Sequence, residues 1–292
     1  MESVLVTGVN GQLGVALQKI TKGMDGFTFY YTDVDTLDIC NKTQLADFFS
    51  THHVDTIVNC AAYTAVDRAE DEPEICACIN FEAVRAIGAI ATSVDAKVIH
   101  ISTDYVFDGR GDRPYRETDD VRPLSVYGAS KLAGERALMD VCEQSMVVRT
   151  AWLYSETGAN FMKTMLRLAS EREEVDVVAD QYGTPTNAGD LASAIKTILT
   201  TDCFIPDIYH FTNEGECTWY DFALKIIELA GMRCKVNPIT TAEYPTRAAR
   251  PAYSVLDTTK IKETYGIQIA QWEESLRNQL RITNYGLRVN NH

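Results

Sequence analysis

The sequence predicts an α/β fold, a doubly wound parallel sheet carrying a smaller C-terminal lobe. Three observations predict it. Strand-like and helix-like stretches alternate through the first half of the 292 residues, the pattern of a parallel sheet with helices on both faces. Runs such as Val4-Leu5-Val6 are apolar throughout, as suits strands buried on both sides. A glycine-rich turn, Gly8-Val9-Asn10-Gly11-Gln12-Leu13-Gly14, follows the first of these runs.

In chain order, residues 4–7 read as a strand and 12–21, apolar at helical spacing, as a helix. Strand 27–31, helix 43–51, strand 56–60, a long helix 73–94 and strand 97–102 follow, then a largely helical 124–143 and strand 146–149. The second half changes character. It reads as helix 161–172, a short strand 175–178, helix 191–199 returning to the sheet, an amphipathic helix 219–230 and a final helix 271–282. Residues 237–258, rich in Pro, Thr, Arg and Tyr, read as irregular. The expected division is residues 1–151, with a return near 187–200, as one domain, and 152–292 mainly as an interleaved second lobe closing a cleft over the sheet.

Composition narrows the function. Hydrophobic residues make up 46% and charged residues 23%, ordinary for a globular protein. The net charge of −14 repels phosphate backbones and anionic lipid, so neither nucleic-acid nor membrane binding is expected. No apolar run is read as long enough to span a bilayer. Met1-Glu2-Ser3-Val4 leads into a strand without a basic region, so no signal peptide is expected. The eight cysteines are scattered, and Cys76 and Cys78 are too close together to chelate one zinc well. They read as reduced thiols of a cytoplasmic protein with no metal site.

Gly8, Gly11 and Gly14 form G-x-x-G-x-x-G between a strand and a helix. A helix N-terminus presents free N–H groups to a pyrophosphate, and glycines let the backbone approach it. The fold is then Rossmann-type and binds a dinucleotide. Asp33 follows the second strand, with Asp35 and Asp38 beyond it, and Lys42 is the only basic residue between Phe27 and Ser50. An acid there accepts hydrogen bonds from the adenosine ribose and repels a 2′-phosphate, which leans towards NADH. The other reading of these aspartates is as solvated turn residues.

Tyr127 and Lys131 lie four apart, on one face of a helix. A phenol titrates near ~10 when unperturbed, and an adjacent ammonium is expected to lower that value. Tyr127 then donates a proton to a carbonyl oxygen, with Lys131 tuning it and holding the nicotinamide ribose. A hydroxyl to polarise the carbonyl comes from Ser102-Thr103-Asp104, at a strand C-terminus where such sheets place ligands. Thr103 is the first candidate and Ser102 the second. His100, inside the apolar strand, reads as a packed core histidine. Asn59-Cys60-Ala61-Ala62-Tyr63 ends the third strand and lines the cofactor groove.

Together these motifs resemble the extended short-chain dehydrogenase/reductase superfamily. The likeness to its dTDP-4-dehydrorhamnose reductase family runs through nearly the whole chain. It includes Ser102-Thr103-Asp104-Tyr105-Val106-Phe107, Tyr127-Gly128-Ala129-Ser130-Lys131 and Asp180-Gln181-Tyr182-Gly183-Thr184-Pro185-Thr186. The resemblance implies NADPH- or NADH-dependent reduction of a 4-keto-6-deoxy nucleotide sugar. It implies Tyr127 as proton donor, Lys131 as its partner and Thr103 as the hydroxyl. Gly11, Gln12 and Leu13 would lie at the pyrophosphate, Asp38 and Ile39 near the adenosine, and Ala62, Tyr63 and Thr64 along the groove. Asp104 and Trp152 would touch the sugar. The substrate diphosphate needs positive charge, and Arg247 and Arg250 are bidentate candidates, with surface ion pairing as their other role.

Some members of that family dimerise through a magnesium ion held by acidic residues. The corresponding stretches here read Gly14-Val15-Ala16-Leu17 and Asn187-Ala188-Gly189-Asp190, so no metal bridge is expected, leaving a monomer or a metal-independent dimer. The related dehydratases place an acid where Tyr105 stands, which argues against elimination chemistry. An epimerase, another nucleotide-sugar reductase, or a non-catalytic subunit similar to the regulatory subunit of methionine adenosyltransferase remain as alternatives.

Overall fold

The computed structural model describes residues 1–201 and 203–282. Six strands form the central sheet: β1 (Glu2–Thr7), β2 (Phe27–Tyr31), β3 (Thr56–Asn59), β4 (Lys97–Thr103), β5 (Ser145–Thr150) and β6 (Ile208–His210). Their order is β6-β5-β4-β3-β1-β2, and every pairing is parallel. The order reverses between β1 and β3, and the crevice at their carboxyl ends is where open α/β sheets take ligands.

The pleat explains why these strands read as continuous apolar runs. Val4 and Val6 face one core with Leu13, Leu17, Leu191 and Ile195, while Leu5 faces the other with Ile57, Val84 and Leu138. A third core, built on Met162, Leu166, Val175, Phe222 and Trp272, fills the smaller lobe.

Several elements depart from expectation. β6 was not foreseen; three residues carry no usable periodicity. Residues 237–258 are not irregular from their start, because Lys235–Ile239 is a strand paired in parallel with Glu174–Val178. Its two-stranded sheet leaves Pro238 an edge, where its missing N–H is tolerated. The helix Ala188–Leu199 begins three residues earlier than the apolar spacing indicates, because Asn187 caps it by accepting hydrogen bonds from Gly189 N and Asp190 N.

The long helix Pro73–Ser93 contains a π turn at Cys78–Glu82. By length and composition, with a mean hydropathy of 1.5, it is long and apolar enough to cross a membrane, which corrects the reading that no such run exists. Here Ala83, Val84, Ile87 and Ala91 are buried in the core facing Leu5.

Candidate active site

The glycine turn is forced by its surroundings. Gly8 has φ +64, and a Cβ there would lie 2.6 Å from Ala61 N; at Gly14 it would lie 2.4 Å from Gly8 O. β1 can therefore turn against the loop after β3 only with glycine at position 8. Gly11 starts the helix Gln12–Thr21 without a side-chain cap. Beside it lies a cavity of about 540 Å³ lined by Gly8, Gly11, Asp33, Asp38, Ile39 and Ala62, a size usual for small-molecule sites. Among the described residues no basic side chain lines it. Asp33 ties the glycine turn to β2, accepting from Asn10 N at 2.9 Å and Val34 N at 2.8 Å; Asp38 accepts from Cys40 N at 2.9 Å. Both are thus turn residues and cavity residues at once. Burial pushes the Cys40 and Cys60 thiols up to about 12, which keeps these cavity residues unreactive.

Not every residue assigned to the dinucleotide gathers here. Leu13 is buried in the core. Gln12 reaches the other lobe, donating to Leu153 O at 3.2 Å and accepting from Asn160 Nδ2 at 2.9 Å. Their side chains therefore do not face the cavity, and their backbone is what a phosphate would meet. The Tyr63 backbone is held on both sides by Asn80, through Tyr63 N to Oδ1 at 2.9 Å and Nδ2 to Tyr63 O at 3.0 Å. Its phenol donates to Glu72, and Thr64 is exposed.

At the carboxyl end of β4, Thr103 donates to Asp104 Oδ1 at 3.0 Å, and its hydroxyl acts on the nearby Tyr127 phenol. Ser125 caps the helix Val126–Val141, accepting from Gly128 N at 3.1 Å, which fixes Tyr127 in the first turn. Gly128 is required, since a Cβ there would lie 2.2 Å from Tyr105 O. Ser102, the alternative hydroxyl, turns away and donates to Glu135.

The electrostatics differ from the sequence argument. Lys131 Nζ does not reach towards the phenol. It donates to Ile101 O at 2.6 Å and lies 3.2 Å from His100 Nε2. Burial lowers Lys131 to about 8, opposed by the Glu135 carboxylate. The Tyr127 phenol is raised, not lowered: burial dominates, the Thr103 hydroxyl pulls the other way and Asp104 adds to the rise. Tyr127 is therefore held neutral, the form that donates a proton. His100 is buried and also bridges Lys131 to Asn59, 3.0 Å from its Nδ1; Asn59 in turn accepts from the Thr7 hydroxyl at 2.6 Å.

Beside Thr103, burial raises Asp104 to about 6, and among the described residues its Oδ2 has no hydrogen-bond partner. Trp152 takes a left-handed backbone, φ 48, and stacks on Trp219 with centroids 3.5 Å apart. A Cβ on Gly183 would lie 2.6 Å from that indole. The two arginines separate. Arg247 is exposed and pairs with Asp71. Arg250 is largely buried, pairs with Asp67 at 2.6 Å, and keeps a buried Nη1 without a partner. Among the described residues no group of three or more His, Cys, Asp or Glu can hold a metal ion. The Asp190 carboxylate already accepts from Asn213 and Ser275.

A family model, the RmlD substrate binding domain, matches residues 1–284. The chain belongs to the RmlD family. It is 42% identical over 288 residues to the dTDP-4-dehydrorhamnose reductase of Aggregatibacter actinomycetemcomitans, covering 95% of this chain and 98% of the relative. The crystal structure of the dTDP-4-dehydrorhamnose reductase of Clostridium acetobutylicum superposes with a TM-score of 0.93 at 41% identity, over 97% of this chain and 99% of that one. The Bacillus anthracis dTDP-4-dehydrorhamnose reductase in complex with NADP gives 0.93 at 40% identity, over 96% and 99%.

Three features of this RmlD-family site escaped the sequence reading. Asn80, fully buried in the π turn, clamps the Tyr63 loop and donates to Ser130 Oγ at 3.1 Å; its signal was a polar residue inside an apolar helix. Gly134 lets that turn approach, for a Cβ there would lie 2.0 Å from Asn80 O. Beneath Lys131, Arg149 and Glu135 form a buried bidentate pair. Only two charges in apolar surroundings hinted at it.

Proposed function

We propose that the protein reduces the C4 keto group of dTDP-4-dehydro-L-rhamnose to give dTDP-L-rhamnose, with NADPH or NADH as reductant. The observation that carries the reading is the meeting of Thr103 and Tyr127 at the carboxyl end of β4, with Lys131 one turn along the helix, in a chain of the RmlD family. The glycine turn and the cavity beside it fit a dinucleotide. Gly8 and Gly11 leave the backbone open to a pyrophosphate, and Asp33, Asp38 and Ile39 surround the place of the adenosine. When bound, the reduced nicotinamide supplies the hydride.

The protein's own groups do the rest. Thr103 hydrogen-bonds the substrate carbonyl oxygen. Tyr127, neutral in its buried setting, gives its proton to the oxygen as it becomes an alkoxide. From its place on Ile101 O the Lys131 ammonium favours the phenolate only at longer range, through its charge, and with the cofactor bound it would be the group to hold the nicotinamide ribose. Asp104 and Trp152 orient the sugar. The eight free thiols support a reducing, cytoplasmic setting, and the charge of −14 supports neither nucleic acid nor membrane as a partner.

The test is consumption of NADPH and NADH, followed by nicotinamide absorbance, with dTDP-4-dehydro-L-rhamnose as substrate. Turnover by the wild type and its loss in Tyr127→Phe, with cofactor binding retained, is the expected result. A folded wild type that binds cofactor and leaves the sugar unreduced would overturn the assignment.

A further inference from the structure

We infer that His100 is a positioning residue for the reduction: a buried row, Thr7–Asn59–His100, holds the Lys131 nitrogen in both of its charge states and reverses the sense of its hydrogen bonds when that charge changes. This rests on the reductase reading above and adds to it a side chain that acts only through Lys131.

Strand register builds the row. Thr7 on β1 lies opposite Asn59 on β3, and Asn59 opposite His100 on β4, so the three side chains leave the sheet on one face. That face otherwise carries Leu5, Ile57 and Val98. Thr7, Asn59, His100 and Lys131 are each 1% exposed or less, so their hydrogen bonds must come from within the protein. A polar row across an apolar face costs desolvation that apolar residues would not, and this one ends on the lysine that the reduction uses.

As the side chains lie, every group donates towards that lysine. Thr7 donates to Asn59 Oδ1 at 2.6 Å, and Asn59 Nδ2 donates to His100 Nδ1 at 3.0 Å. The neutral imidazole then carries its proton on Nε2, 3.2 Å from Lys131 Nζ. This suits an amine, whose lone pair accepts, and not an ammonium, which only donates. With Lys131 charged the row runs the other way. Nζ donates to Nε2, Nδ1–H donates to the Asn59 carbonyl oxygen after a half-turn of the amide, and Nδ2 donates to the Thr7 hydroxyl. The protons balance: the Nε2 proton passes to Nζ, and Nδ1 takes one from solvent. Ile101 O accepts from Nζ at 2.6 Å, a bond open to either state, so the nitrogen keeps its place and one ammonium N–H is left for the ribose.

The other groups around Lys131 leave this role to His100. Glu135, on the same helix, acts on it through charge, and its carboxylate is taken by Arg149 and Ser102. Cys76 meets Ser130 Oγ at 3.1 Å, and burial holds the Cys60 thiol up at about 12. His100 itself is held well below its ordinary value, by burial first and the Lys131 charge second. The ring therefore stays neutral while Lys131 titrates, and the change is from one neutral tautomer to the other.

Nitrogen NMR of the full wild-type chain, isotope-labelled at histidine, tests this, with His100→Gln assigning the signals. As pH rises through the titration of Lys131, the ring proton is expected to move from Nδ1 to Nε2. A tautomer that stays the same throughout would overturn the proposal. The pH profile of kcat/KM gives a second reading. A hydrogen bond from an ammonium is stronger than one received by an amine, so His100→Leu should move the alkaline limb down by about one pH unit. His100→Gln, whose amide both accepts and donates, should keep the limb near its wild-type place. A limb that stays or rises in folded His100→Leu, or a glutamine variant that behaves like the leucine one, would also overturn it. If the wild type reduces the keto sugar with a fixed tautomer, the row alone fails. If the tautomer changes and no sugar is reduced, the reductase reading alone fails.

Discussion

Replacing Glu135 by glutamine removes one charge from a pair shut off from water. The Arg149 and Glu135 side chains are 2% and 1% exposed. Arg149 holds Glu135 through Nε at 3.0 and 3.2 Å and Nη2 at 2.7 Å, and Ser102 adds a third donor. A guanidinium cannot shed its proton to escape an apolar setting, and Arg149 Nη1 already lacks a partner. The variant therefore strands a buried cation, which costs about 3–5 kcal/mol, a large part of the ~5–15 kcal/mol by which domains are stable. Urea unfolding with an unchanged m-value reads the loss. The double variant Glu135→Leu/Arg149→Met should recover most of it, since apolar replacement of a buried pair is often neutral. A loss below about 1 kcal/mol in Glu135→Gln, or a double variant no better than the single one, would show that the pair is not desolvated as described.

Lys131, lowered to about 8, should lose its ammonium as pH rises through that value. kcat/KM for reduction is expected to fall there, and a profile flat across that range would remove the charge from the mechanism. His210 is buried neutral, lowered to about 3 from an unfolded value of 6.5, by burial first and then by Arg149. The unfolded chain takes up that proton first, so the contribution is complete above pH 6.5 and lost as pH falls towards 3, at up to ~1.4 kcal/mol per pH unit. In His210→Phe that slope should flatten; denaturation series at several pH values decide it. Gly134→Ala drives a methyl to within 2.0 Å of Asn80 O. It should destabilise by roughly 1–3 kcal/mol and, by loosening the Asn80 clamp on Tyr63, raise the cofactor Kd; an unchanged Kd would free that loop from Asn80.

The fold was legible where burial is two-sided. β1, β3 and the middles of β4 and β5 carry apolar residues towards both faces because helices cover both, so their runs stand out in the sequence, whereas the edge strand β2 is only partly buried and shows through its aromatic residues. β6, a three-residue strand, owes its existence to the exposed edge of β5, which no local pattern encodes. The π turn was hidden for a related reason. Every residue from 73 to 94 suits a helix, and the one wider turn arises from the packing of Asn80 against Gly134.

The site divides along the same line. Tyr127, Lys131 and the glycines belong to local patterns and could be named from spacing alone. Their charge states could not. Four residues on a helix put Lys131 beside Tyr127 in sequence, yet its ammonium is captured by Ile101 O from β4, and the phenol answers to burial. The choice between Ser102 and Thr103 shows why. Successive strand residues face opposite ways, so one of the two hydroxyls had to turn from the reacting end, but which one depends on where the helix Val126–Val141 lies. That helix brings Glu135 against Ser102 and Tyr127 against Thr103. The hydroxyl that remains for a substrate is decided by the partner each serine or threonine meets, and those partners lie more than twenty residues away in the chain.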